Sequence, residues 1–203
     1  RFFNRPTVCV VNGTAALHLA LQGCDFPPGS EVLVPSLTYL ASYQAILAAG
    51  LSPVSCDIDE RSFTLDIDDA SKRLSKKTKA IMPVHYCGNV CDLSSIFSFS
   101  KNNNLRVIED AAHAFGSTLE GRKVGESGDI TCFSFDGIKN ITAGEGGCVV
   151  SDDIDLIHRV SDARLLGVVN DSAARITNRR QWTFDVTAIG WRYHMSNIMA
   201  AIG

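Results

Sequence analysis

The stretch Val8-Cys-Val-Val11-Asn-Gly13-Thr14-Ala-Ala-Leu-His-Leu-Ala-Leu21 changes its hydrophobic pattern once, and that change decides the fold. Val8 to Val11 is a short, continuous apolar run, as expected for a strand buried on both faces. From Thr14 onward Ala16, Leu17, Leu19, Ala20 and Leu21 fill a helix, leaving His18 and Gln22 polar. The same strand-then-helix rhythm continues outward. Further Val- and Ile-rich bursts stand at 32–34, 54–58, 80–84, 106–108, 131–135 and 148–150. Helical segments are expected at 39–49 (ended by Gly50), 66–74 (opening with acids that suit the positive end of a helix dipole), 94–103 and 154–166 (closed by Gly167). Repeated strand-helix units predict an α/β fold, with a mainly parallel seven-stranded sheet and helices on both faces.

Composition fits a packed domain. Of 203 residues 45% are hydrophobic and 20% charged, which excludes a disordered chain. Lys plus Arg is 19 against 22 acids, a net charge of −3, so no basic footprint for nucleic acid or an anionic membrane is present. No run approaches the ~18 apolar residues of a membrane span. The seven cysteines are odd in number and mostly lie in apolar runs, so buried thiols in a reducing cytoplasm are expected rather than disulfides. The chain opens at Arg1 without an export leader and closes at Gly203 behind the helix-like run Ile198-Met-Ala-Ala-Ile202. Both ends read as continuing into something longer. Residues 1–169 are expected to form the large domain. Residues 170–203, which begin with a polar stretch holding Arg175, Arg179, Arg180 and Trp182, are expected to connect onward to a further small domain or to meet another chain.

In such a sheet ligands bind where strands end and helices begin. Asn12-Gly13-Thr14 is either a helix cap with a glycine before it or a place where free helix amides hold an anion. No G-x-G-x-x-G or P-loop pattern is present, so a dinucleotide or P-loop site is unsupported. Glu109-Asp110 ends a core strand, with His113 following. Burying such acids is costly unless they meet a cation, the alternative being a solvated strand end. Lys139 follows the strand at 131–135 and precedes a glycine-rich loop. It is either a surface charge or an amine whose reactivity is raised by its setting. His85, Cys87 and Cys91 have metal-ligand chemistry but lack a fourth ligand, so no metal site is expected.

Taken in order, Asn12-Gly-Thr-Ala-Ala-Leu17, Pro35-Ser-Leu-Thr-Tyr39, Glu109-Asp-Ala-Ala-His-Ala114 and Ser134-Phe-x-x-x-Lys139 with Thr142-Ala-Gly-Glu-Gly-Gly147 resemble the DegT/DnrJ/EryC1/StrS family. These are sugar aminotransferases of fold type I that use pyridoxal 5'-phosphate. The resemblance runs from about residue 8 to 203 and implies the large cofactor domain of such an enzyme.

It further implies that Lys139 is the catalytic residue, holding the cofactor as an imine and shuttling the proton. Asp110 would pair with the pyridine nitrogen; at about 3 Å and effective dielectric ~20 such a contact is worth up to roughly 5 kcal/mol. His113 would bond the phenolic oxygen and Tyr39 would stack on the ring. Gly13, Thr14, the Ala15 amide and Ser134 would cradle the phosphate. Two departures stand out. Many relatives have Ser at position 12. In Gly190-Trp-Arg-Tyr-His-Met195 many have Asn where Arg192 stands and Arg where His194 stands. That segment reaches a neighbouring subunit's site in the family, so Arg192 is a candidate cation for the phosphate. The implied partners are a nucleotide-linked ketosugar, an amino-acid donor (glutamate) and a second copy of the chain, in amino-sugar, surface-polysaccharide or antibiotic-sugar biosynthesis. Dehydratases on this scaffold replace the lysine with histidine, so Lys139 argues against that activity. A regulatory or truncated relative that binds the cofactor without turnover is the alternative.

Overall fold

In the computed structural model residues 2–169 and 185–203 are described. The positions Arg175, Arg179, Arg180 and Trp182 lie outside them. Seven strands form the main sheet in the order β1-β9-β8-β5-β4-β2-β3: β1 (Thr7–Val10), β2 (Glu31–Pro35), β3 (Ser52–Cys56), β4 (Thr78–Ile81), β5 (Arg106–Asp110), β8 (Ile130–Ser134) and β9 (Gly147–Ser151). Pairs β8–β5, β5–β4, β4–β2 and β2–β3 are parallel; β9 runs antiparallel to both β8 and β1. The sheet is therefore mainly parallel, as expected.

The helices are α1 (Gly13–Gly23), α2 (Leu40–Ala48), α3 (Ile67–Lys72), α4 (Leu93–Asn103), α5 (Ile154–Ala163) and α6 (Asn197–Ile202). Side-chain alternation along the strands builds two layers. Val32, Val34, Ala80, Met82 and Ile108 pack with residues of α1, α2 and α5, whereas Leu33, Ile81 and Val107 pack with α3 and α4. The second face is extended by Phe3, Phe133, Val124 and Val150. Capping fixes the helix starts: the side chains of Asn12, Asp66, Asp92, Asp153 and Ser196 accept first-turn amides.

Two elements differ from expectation. Helix α5 stops at Ala163, short of Leu166, because Leu165 bridges to Arg192 and the Leu166 amide bonds the Trp191 carbonyl. Residues 191–194 thus lie along the end of α5, and Val11 N–H donates to the Tyr193 carbonyl at 2.7 Å. A hairpin of β6 (Thr118–Leu119) and β7 (Arg122–Lys123) was not expected. Two-residue polar strands carry no periodicity; the remaining signal is Glu120-Gly121, whose positive φ values (51° and 78°) make the tight turn. Among the described residues no helix is long and apolar enough to cross a membrane.

Candidate active site

The carboxyl ends of β1, β2, β5 and β8, with the chain beyond β4, converge on one cavity of about 580 Å³. Its lining includes Asn12, Gly13, Thr14, Thr38, Tyr39, Tyr86, Asp110, His113, Ser134, Asp136, Lys139 and Glu145. Residues from four distant motifs therefore meet at one place.

Gly13 opens α1 directly against the end of β8. A Cβ there would lie 2.7 Å from the Ser134 Cβ, so only glycine allows the helix start to sit beside the Ser134 hydroxyl. Asn12 Oδ1 accepts the Ala15 amide at 2.8 Å. The Ala15 amide is thus engaged as part of the cap, and of the first-turn donors those of Gly13 and Thr14 remain for an anion.

Asp110 is 6% exposed yet lines the cavity. One carboxylate oxygen accepts from Ser42 Oγ at 2.8 Å and the other from the Ala112 amide at 3.2 Å. Among the described residues no ion-pair partner stands beside it. A buried carboxylate held by two donors and lacking a cation suits a ligand that brings one.

His113 is half-buried, and its Nδ1 accepts the Cys87 amide at 3.2 Å, which leaves Nε2–H to donate into the cavity. Burial lowers its pKa from the ordinary 6.5; the Lys139 charge adds to this and Asp110 opposes it. Lys139 sits half-buried in a turn where Asp136 Oδ1 accepts the Ile138 amide and the Asp136 carbonyl accepts the Lys139 amide. Asn140 anchors the same loop through the Phe115 carbonyl at 2.6 Å. Tyr39 is 74% exposed at the rim.

Gly13, Thr14, Tyr39, Asp110, His113, Ser134 and Lys139 are thus gathered; Arg192 is exposed and does not line the cavity of its own chain. Thr38, Ser42, Tyr86, Asp136 and Glu145 were not anticipated. Ser42 lies behind the cavity wall, fully buried in a helix that also carries Tyr43 and Gln44, so nothing in the local sequence pattern singles it out. Of the metal-type trio, His85 and Cys91 are buried, with the Cys91 amide donating to His85 Nδ1, His85 Nε2 facing Glu109 and the Cys91 thiol donating to the Val84 carbonyl; Cys87 is exposed, and among the described residues no group of three metal-ligating side chains forms.

A family model for DegT/DnrJ/EryC1/StrS aminotransferases matches residues 4–203. The chain belongs to that family. It is 46% identical over 192 residues to a GDP-perosamine synthase of Caulobacter vibrioides, covering 95% of this chain and 49% of that one. It is 36% identical to the spore coat polysaccharide biosynthesis protein SpsC of Bacillus subtilis, covering 98% and 51%. The chain thus spans about half the length of these curated relatives. Among solved structures, the PLP-form of the sugar aminotransferase-like Spr1654 from Streptococcus pneumoniae superposes with a TM-score of 0.89 at 32% identity, over 100% of this chain and 55% of that one. The seven-stranded α/β scaffold is therefore that of the fold type I sugar aminotransferases.

Proposed function

We propose that this protein is a pyridoxal-phosphate-dependent aminotransferase that moves an amino group from an amino acid, glutamate, to a nucleotide-linked ketosugar. One observation carries the reading: Asp110 at the end of β5 and Lys139 in the turn after β8 line a single cavity together with the amide-rich start of α1. The residues fit the group. Asp110 lacks a cation and Gly13 keeps the head of α1 open beside Ser134.

When bound, pyridoxal phosphate supplies an electron sink for charge developing on the substrate carbon. Lys139 would hold the cofactor through its amine, and that same amine would be the group placed to move a proton at the reacting carbon. Asp110 keeps the ring nitrogen protonated, and Ser42 with the Ala112 amide holds that carboxylate in place. His113, neutral at neutral pH, donates from Nε2 to the phenolic oxygen. Tyr39 covers the ring face. Gly13, Thr14 and Ser134 bind the phosphate.

Among the described lining residues Lys139 is the one basic side chain of the Lys/Arg type, beside the acids Asp110, Asp136 and Glu145. A phosphate therefore calls for a further cation, and the exposed Arg192 of a second copy suits that role, supporting a homodimer with shared sites. The GDP-perosamine synthase relative and the spore coat polysaccharide biosynthesis relative support a GDP-linked ketosugar acceptor in surface-polysaccharide synthesis. The test is to add pyridoxal phosphate to the full-length protein. An absorbance band that Lys139→Ala abolishes, together with amine transfer from glutamate to a GDP-linked ketosugar, is expected. A wild-type protein that gives no band overturns the proposal, and a band without turnover marks a cofactor-binding relative instead.

A further inference from the structure

Glu109 and Asp110 are consecutive at the end of β5, so their side chains project to opposite faces of the sheet. Asp110 meets the cavity. Glu109, 1% exposed, is buried on the other side. Its Oε2 lies 3.0 Å from His85 Nε2, and its Oε1 accepts the Thr131 hydroxyl of β8 at 3.1 Å. The space beside it is kept by Gly128, where a Cβ would fall 2.6 Å from Oε1. His85 is fully buried and its Nδ1 accepts the Cys91 amide at 3.2 Å, so its proton is on Nε2, facing Glu109.

The same residues grip Asp110 through the backbone. The His85 amide donates to the Asp110 carbonyl at 3.1 Å, and the Asp110 amide donates to the Pro83 carbonyl at 2.9 Å. Stability alone does not account for such a network, since replacing a buried polar pair with apolar residues is often neutral or stabilising. Geometry does. Backbone bonds hold the end of β5 at its two edges, and the Glu109 side chain adds a hold on the face opposite the cavity, so the peptide that carries the Asp110 carboxylate is fixed against tilting as well as sliding.

We propose that Glu109 is a positioning residue: with His85 and Thr131 it clamps the ends of β5 and β8 and the chain beyond β4, so that Asp110 stays aimed at the cofactor's ring nitrogen. This rests on the pyridoxal-phosphate reading. The experiment uses the full-length protein and the variants Glu109→Ala, Glu109→Gln and Thr131→Val. It measures the Kd for pyridoxal phosphate by absorbance titration and, without cofactor, hydrogen exchange of the amides of 106–113.

Hydrogen bonds to a charged group are worth ~1.5–3 kcal/mol, so Glu109→Ala is expected to weaken the Kd about tenfold or more and to speed exchange at Asp110. Glu109→Gln is expected to recover most of the affinity, because its carbonyl can accept from His85 while its amide donates to the Thr131 hydroxyl. Thr131→Val, close in shape and losing one bond, is expected to weaken the Kd by a few fold, and it carries the test if Glu109→Ala does not fold. Kd and exchange unchanged from wild type, with only the melting temperature lowered, would show that Glu109 merely fills the core and overturn the clamp. A wild-type protein that does not bind pyridoxal phosphate removes the parent reading, and the clamp with it.

Discussion

Ser42, one turn into α2, donates its hydroxyl to Asp110 at the end of β5 across 2.8 Å, joining two elements 68 residues apart. Thr38 Oγ1 lies 2.7 Å from the same hydroxyl, so a short chain of side chains runs from the loop after β2 to the buried acid. The helix thereby fixes the direction of the carboxylate as well as covering the sheet.

Removing that hydroxyl leaves one carboxylate oxygen of Asp110 without its donor. Ser42→Ala is expected to cost about 1.5–3 kcal/mol in urea denaturation, the range for hydrogen bonds to charged groups. It should also weaken pyridoxal phosphate binding. Unchanged stability in the variant would mean that water replaces the serine at no cost.

At Gly13 the constraint is space rather than backbone conformation. Gly13→Ala places a methyl 2.7 Å from the Ser134 Cβ, inside any real contact distance. Helix α1 must move off β8, at an expected cost of about 1–3 kcal/mol typical of overpacking. Thermal melts would show the loss, and titration with inorganic phosphate would show a weaker anion site. A variant as stable as wild type would mean that α1 shifts freely.

Acidification should remove the stability that the protein without cofactor draws from holding His113 and His18 neutral. His113 has a folded-state pKa below the ordinary 6.5, mainly through burial, and His18 is lowered by burial as well. At these two groups the unfolded chain binds more protons in the interval below 6.5, so their contribution to stability rises with pH across that interval and is lost as pH drops through it. Denaturant titrations at about pH 5, 6 and 7 should show this slope, reaching into the ordinary imidazole range. His113→Gln should flatten part of it and leave the share of His18. An identical slope in the variant would show that His113 does not contribute.

The Trp191 side chain ties the segment 190–194 to α1. Its indole N–H donates to Gln22 Oε1 at 2.8 Å, and its ring lies 5.0 Å from His18 and 5.7 Å from Tyr193. Trp191→Ala is expected to cost about 2 kcal/mol, below the ~3–5 of a fully buried tryptophan, and to raise hydrogen exchange at Val11 and Tyr193. Exchange rates equal to wild type would show that the backbone bonds hold the segment alone.

Positions of strands and helices were legible in the chain itself, because strands buried on both faces must be continuously apolar and capped helices carry their acids and glycines at the ends. Val32-Leu-Val34 and Cys148-Val-Val150 announce themselves in this way. So did Asp110, His113 and Lys139, each at or just beyond the end of a core strand. What the chain alone left open was decided by packing between segments far apart. Only the sheet order set β9 antiparallel between β1 and β8, and only the approach of Leu166 to Trp191 ended α5 at Ala163. The Ala15 amide is taken by Asn12, Ser42 reaches Asp110 from a helix whose local pattern says nothing of a ligand, and Asp136 and Glu145 line the cavity beside Lys139. Hydrophobic periodicity is a property of neighbouring residues and survives in one dimension. Which carboxylate faces the cavity, and which is turned behind the sheet toward His85, depends on contacts between residues remote in sequence and exists only once the strands have met.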